Sequence, residues 1–169
     1  MGMPVTRFGS LNDYEPGKVE IIDDNPKNYV FSNIFAVAAK SAPYERVAVA
    51  KNFEYVVEAV RAEGTSPWFA CAHDEFALAM DGEIEVHLIK LESPEKVVSP
   101  ESQGAHRLAT DMPEGRKMGR IVLRQGHMAL LPKRAAYRFH AERPAAMMVQ
   151  TIAGPVTVQK WAEICQTAA

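Results

Sequence analysis

The chain has 169 residues, 47% hydrophobic and 24% charged. That is the balance of a globular protein able to bury about two-thirds of its unfolded surface in one domain. It carries 19 basic and 21 acidic residues, and the net charge of −2 gives no reason to expect nucleic acid or an acidic membrane as a partner. The opening MGMPVTRFGSLNDYEPG lacks the apolar core of a secretion signal, and no apolar run reaches the length of a membrane span. Cys71 and Cys165 form neither a CxxC motif nor a disulfide framework, which places the chain in a reducing cytoplasm.

Residues 1–27 mix Pro4, Pro16 and Pro26 with glycine and aspartate, and read as an extended arm, either disordered or laid across another surface. Residues 28–169 read as a single domain. In NYVFSNIFAVAAKSAP, Ser32 is placed to cap a short helix carrying Ile34, Phe35 and Val37, which Pro43 would stop. YERVAVAKN alternates Val47 and Val49 with polar neighbours, as a strand does. FEYVVEAVRAEG suits helix or strand, and its β-branched run favours the strand. GEIEVHLIKL alternates Ile84, Val86 and Leu88 against Glu83, Glu85 and His87. Residues 92–118 have the composition of a long surface loop. Strands resume in GRIVLRQG, HMALLP, AYRFHAE, AAMMVQTIAG and PVTVQ, and KWAEICQTAA suits a terminal helical turn. Many short strands separated by turn signals predict an all-β sandwich or barrel.

Two segments bear on chemistry. PWFACAHDEFALAMDGE sets Glu75 seven residues before Gly82, with Asp81-Gly82 as a hairpin turn. GHMALLP sets Gly126 six residues before Pro132. Both spacings resemble the motifs of the cupins, small double-stranded β-barrels (jelly rolls): G-x5-HxH-x3-4-E-x6-G and G-x5-PxG-x2-H-x3-N. Gly64 stands near the opening glycine of the first motif. Phe69 and Cys71 replace its two histidines, Arg134 replaces the glycine after Pro132, and Tyr137 replaces the last histidine.

A catalytic metal needs about three suitable protein ligands. Phenylalanine cannot coordinate, and neutral tyrosine is a poor replacement for imidazole. Phe69, Cys71, Glu75 and Tyr137 therefore read as a vestigial, metal-free pocket, with Trp68 and His73 as candidate lining. A rebuilt site remains an alternative: His73, two residues from Glu75, would share its face on a regular strand. The other histidines fit less well. His140 should face away from Tyr137, His127 follows a turn glycine, His87 alternates outward, and His106 falls in the long loop. The plainer reading pairs Glu75 with Arg134 or Arg138 and makes Cys71 a small buried side chain rather than a nucleophile.

AEGTSPWFACAHDEFALAMDGEIEVHLIKL, MGRIVLRQGHMALLPKRAAYRF and MMVQTIAGPVTVQKWAEIC together carry a narrower resemblance over most of residues 28–165. They resemble the small subunit of the two-component hydroquinone 1,2-dioxygenases of bacterial 4-nitrophenol degradation. The resemblance implies no catalytic residue and no cofactor in this chain. It implies a larger cupin subunit carrying Fe(II), assembled with this chain as a heterotetramer around a phenolic substrate. The complex would open hydroquinone with dioxygen to 4-hydroxymuconic semialdehyde, and the arm over residues 1–27 would wrap the large subunit. Two other readings stand beside it. One is a metal-free cupin binding a small molecule alone among Trp68, Phe69, Glu75 and Tyr137. The other is a stand-alone metal enzyme using His73 and Glu75.

Overall fold

A computed structural model describes Leu11 and residues 32–164. Except at Leu11, the range expected for the arm lies outside the described residues. The first helix, α1 (Ile34–Lys40), is capped by Asn33, whose side-chain oxygen accepts the Ala36 N–H at 3.1 Å. Ser32, the cap expected from the sequence, instead donates its hydroxyl to Val49 O at 3.2 Å, because the helix begins one residue later. At the other end the Ser41 hydroxyl donates to Val37 O at 2.8 Å and closes the last turn ahead of Pro43.

Strands β1 (Arg46–Asn52) and β2 (Tyr55–Thr65) form an antiparallel hairpin, so the ambiguous FEYVVEAVRAEG is a strand. Val37 of α1 covers Val47, Val49 and Ala59 on the outer face of this hairpin. Because side chains alternate along a strand, Arg46 and Ala48 point the other way, into the barrel.

The chain continues through β3 (Phe69–Cys71), β4 (Glu75–Ala79) and β5 (Glu83–Leu91). The stretch expected as one loop holds a short helix α2 (Pro94–Val97) and a strand β6 (Ala105–Arg107), and β7 (Gly115–Arg124) begins inside it. Three residues are too few for a periodic signal; β6 exists because it pairs with β3. Val98 and Leu108 from this stretch close over Trp68, Ala70 and Ala136, forming a second small core outside the barrel.

After β8 (Met128–Leu131) comes β9 (Ala135–Ile152), a single strand where the sequence suggested two. Glu142, Arg143 and Pro144 look like a turn. They have no ladder partners, and the register with β2 shifts between Ala62 and Gly64 beside them. A bulge accommodates a proline that a regular ladder would reject. Its first half pairs with β5 and β3, and its second half with β4; β2 runs along both. The bend therefore lets one strand join both sides of the sheet.

The last elements are β10 (Thr157–Val158), parallel to β1, and α3 (Trp161–Ile164). The sheet runs β10-β1-β2-β9-β3-β6, with β4-β8 and β5-β7 also joined through β9. It wraps a core that includes Ile84, Val86, Leu123, Leu131, Phe139 and Met147. This is the all-β double-stranded barrel of the cupins. Among the described residues, no helix is long and apolar enough to cross a membrane.

The motif glycine at the β4–β5 hairpin has a double reason to be glycine. Gly82 has φ +66°, and a Cβ there would lie 2.7 Å from the Ala145 Cβ. The adjacent Asp81 carboxylate accepts the Ala146 N–H at 2.6 Å and the Leu11 N–H at 2.8 Å, tying these two residues to the turn. Gly82→Ala is expected to cost about 2–4 kcal/mol in urea unfolding, from backbone strain plus overpacking. Gly64→Ala, at φ +68° with open space around it, should cost only about 1–2 kcal/mol.

Candidate functional site

The barrel brings all four degenerate motif positions together. Phe69 and Cys71 come from β3, Glu75 opens β4, and Tyr137 lies on β9 opposite Phe69, their rings 5.8 Å apart. All four are buried. The group they surround is one the sequence analysis did not place there, the guanidinium of Arg46. It stands over the Phe69 ring, 5.6 Å from its centroid. Nη2 donates to Glu75 Oε1 at 2.8 Å, Nη1 to the Tyr137 hydroxyl at 2.9 Å, and Nε to Glu58 Oε2 at 2.5 Å.

The remaining oxygens are also committed. The Tyr137 hydroxyl donates to Glu75 Oε2, and the Thr157 hydroxyl donates to Glu58 Oε1 at 2.6 Å. The Thr157 oxygen in turn accepts the Gly154 N–H at 3.0 Å. Each carboxylate oxygen of Glu58 and Glu75 thus has a donor, which a buried charge requires. Arg46 is 3% exposed and both carboxylates are 0% exposed, so little solvent screening reaches the ion pairs.

The electrostatics follow from this packing. Burial alone would lower the Arg46 guanidinium, but Tyr137, Glu58 and Glu75 more than reverse that effect and hold it well above its ordinary range. Tyr137 is driven far upward by burial; Arg46 pulls it down, and Glu75 pushes it up again. It remains a neutral phenol. The Cys71 thiol is pushed up to about 12 by burial and by Glu75, with Arg46 opposing. Its sulfur rests 3.1 Å from Gly104 O. A neutral, buried thiol is a packing group, not a nucleophile.

Trp68 and His73 do not join this cluster. Trp68 packs in the outer core, donates Nε1–H to Asp111 O at 2.9 Å, and lies under the Arg138 guanidinium, 4.8 Å from its ring centroid. His73 falls in the turn between β3 and β4, so the strand parity that would align it with Glu75 does not apply. Its Nε2 lies 3.2 Å from the Gly104 N–H and its Nδ1 lies 2.9 Å from Asp74 O. One neutral tautomer satisfies both contacts and leaves no nitrogen for a metal. Nor is Glu75 paired with Arg134 or Arg138. Arg134 occupies the turn after β8 with φ +68°, retaining the left-handed backbone of the glycine that the motif expects there. The other histidines lie elsewhere: His140 meets Thr65, His87 meets Glu85, and His106 lies on β6.

The metal that the fold family implies does not fit these residues. Among the described residues, no group of three or more His, Cys, Asp or Glu side chains converges for a metal ion. At the ligand positions a cation of the protein's own, Arg46, already holds Glu75 and Tyr137. Around it, Tyr44, Val60, Phe69, Phe139, Met147 and Val149 leave no space for even a water molecule. A cavity of 320 Å³ lies outside the barrel, between β3 and the segment carrying α2.

The missed residues were Arg46, Glu58 and Thr157. Val47 and Val49 made β1 look like a strand with one apolar face and a solvated reverse. The usable signal was the combination of two charges, Arg46 and Glu58, on strands whose opposite faces are small or apolar. Across the hairpin Ala48 pairs with Glu58, and Arg46 pairs with Val60, so the two charges are diagonal neighbours.

Fold and site together define a cupin barrel whose metal positions are filled by side chains. No protein-family model and no curated protein matches the chain. Solved structures do. A chain of hydroquinone 1,2-dioxygenase from Sphingomonas sp. TTNP3, with 4-hydroxybenzoate bound, is 69% identical; the match covers 99% of this chain and 100% of that one, with a TM-score of 0.93. A chain of the hydroquinone 1,2-dioxygenase PnpCD, in complex with Cd2+ and 4-hydroxybenzonitrile, is 52% identical over 96% of this chain and 97% of that one, with a TM-score of 0.87. This chain belongs to the hydroquinone 1,2-dioxygenase family. It also shares its fold, at 15% identity and a TM-score of 0.60, with a longer chain of PnpCD in complex with Fe3+, of which it spans 46%.

Two measurements follow. In a Cys165→Ser variant, native Cys71 should resist a thiol reagent at pH 8 and react fully once the chain is unfolded in urea. Tyr44, raised chiefly by burial, and Tyr137 are both held above the ordinary tyrosine value of 10.0 in the folded state. The unfolded chain therefore loses these protons first. Their contribution to stability is complete below the ordinary value and is lost as pH rises beyond it. The urea midpoint should fall from about pH 10 upward, and less steeply in Tyr137→Phe.

Proposed function

We propose that this chain is the small, non-catalytic and metal-free subunit of a hydroquinone 1,2-dioxygenase. Ring opening of hydroquinone to 4-hydroxymuconic semialdehyde would take place on Fe(II) in a larger cupin subunit. The observation that carries this reading is the Arg46 cluster: the barrel centre is spent on internal ion pairs. Its near-full-length relatives belong to hydroquinone 1,2-dioxygenases, and the longer PnpCD chain shares the barrel fold. Iron would supply a site where phenolate and dioxygen meet. The residues of this chain would contribute a rigid barrel and a docking face, in an assembly of two small and two large subunits.

The outward side of β4 and β8 is suited to that face. Phe76 and Leu130 are cross-strand partners, 43% and 46% exposed, and Met128 beside them is 60% exposed. Three exposed apolar side chains side by side on paired strands suit a partner surface. The reading of a lone small-molecule binder draws no support from the filled barrel centre. The rebuilt site at His73 and Glu75 draws none from a histidine committed to two backbone groups.

Co-expression with the larger subunit provides the test. Iron and hydroquinone cleavage should appear in the co-purified complex and be absent from this chain alone. Stoichiometric metal in the isolated chain, lost on Glu75→Ala, would overturn the reading. Phe76→Glu combined with Leu130→Glu should abolish co-purification while shifting the isolated chain's stability by no more than about 1 kcal/mol.

A further inference from the structure

We propose that the Arg46 guanidinium is a built-in replacement for the metal ion of the barrel. It organises Glu58, Glu75 and Tyr137 as a metal would, and its presence keeps divalent cations out. This inference concerns the chain's own interior and stands whether or not the subunit assignment above is correct.

Three observations carry it. First, three of the four motif positions face Arg46. Glu75 and Tyr137 bond to it and the Phe69 ring lies beneath it, while the fourth, Cys71, rests against Gly104 O. Second, the bonding set is that of a hard cation. Glu58 Oε2 and Glu75 Oε1 converge with the Tyr137 oxygen on one positive group, and carboxylate oxygens are donors preferred by ions such as Mn2+. Third, the side chain suits the task. A guanidinium is always charged, and its planar fork reaches three acceptors at once. It arrives on β1, whose contribution to the barrel wall is independent of the motif strands β3, β4 and β9.

The consequence is specific. Two buried carboxylates face one guanidinium, so removing that guanidinium leaves both without a counter-charge, which is strongly destabilising. A divalent ion of matching hardness is then the group best able to restore the balance. The phenylalanine at position 69 would leave such an ion with a ring on one side, so the ligands would be Glu58, Glu75 and Tyr137 with water filling the rest. In an assembly with a metal-bearing chain, Arg46 would confine metal loading to that chain.

The experiment uses the full-length chain with Arg46→Ala and, separately, Arg46→His, which adds a nitrogen ligand where the guanidinium was. Each is purified in EDTA, then titrated with Mn2+ and followed by loss of the free-ion electron paramagnetic resonance signal and by thermal unfolding. Wild type should bind no Mn2+ and show no shift. Arg46→Ala should lose about 10 °C in Tm in EDTA and recover more than half of it with one equivalent of Mn2+ bound. Arg46→Ala combined with Glu58→Gln and Glu75→Gln should be indifferent to the metal, because the carboxylates that would bind it are gone.

The proposal is overturned if folded Arg46→Ala and Arg46→His bind no Mn2+. It is equally overturned if wild type binds an equivalent of Mn2+ that Glu75→Gln abolishes. If neither single variant is recovered in soluble form with or without Mn2+, a metal does not substitute for the guanidinium, and the proposal again fails.

Discussion

Burying a guanidinium is the constraint on which the rest of this barrel depends. Taking Arg46 out of water costs several kcal/mol unless charge and hydrogen bonds are returned to it in full. The groups that return them come from three other strands, Glu58 from β2, Glu75 from β4 and Tyr137 from β9, while Thr157 of β10 donates to Glu58. A slip of one residue in β1 or β2 would turn Arg46 or Glu58 outward and leave the other side of the pair unsatisfied. Hydrophobic residues of the same volume would fill the space as well. What the ions add is intolerance of any other register.

The fold supplies this cluster by covering several of its strands on both faces. Helix α1 seals the outer face of β1 and β2, and the stretch carrying α2 and β6 seals β3 and part of β9. With both faces enclosed, β1 places its valines under the helix and its arginine inside the barrel. The bend in β9 has a matching role. It allows one strand to present Tyr137 to the cluster from its first half while its second half supports β2 and β4, which carry the two carboxylates. The exposed apolar residues Phe76, Met128 and Leu130 lie where no covering layer exists among the described residues. The barrel is filled at the motif positions, and these apolar side chains lie on its outside.

The barrel itself was legible. Alternation in β5 and the short strand-like runs of β7 and β8 between glycine-marked turns point to strands where strands occur. The motif spacings Glu75–Gly82 and Gly126–Pro132 hold because the hairpin at Gly82 and the turn ending in Arg134 keep their left-handed backbones. Phe69 and Tyr137 meet at Arg46 because both lie on strands. His73 does not, since a turn interrupts the strand between it and Glu75, and Trp68 precedes β3 and packs in the outer core. The single strand β9 was read as two because Glu142-Arg143-Pro144 has turn composition and bulge geometry.

The sequence by itself determined which residues stand at the motif positions, and therefore that phenylalanine, cysteine and tyrosine stand where the cupin motif has histidines. That is a matter of identity and spacing, which a chain carries without folding. Tertiary structure alone decided what occupies the centre. Arg46 lies 29 residues from Glu75 and 91 from Tyr137, and no local pattern reports a contact made across strands so far apart. Whether an arginine on an alternating strand faces water or a core depends on what covers the other side. For β1, that was settled by α1.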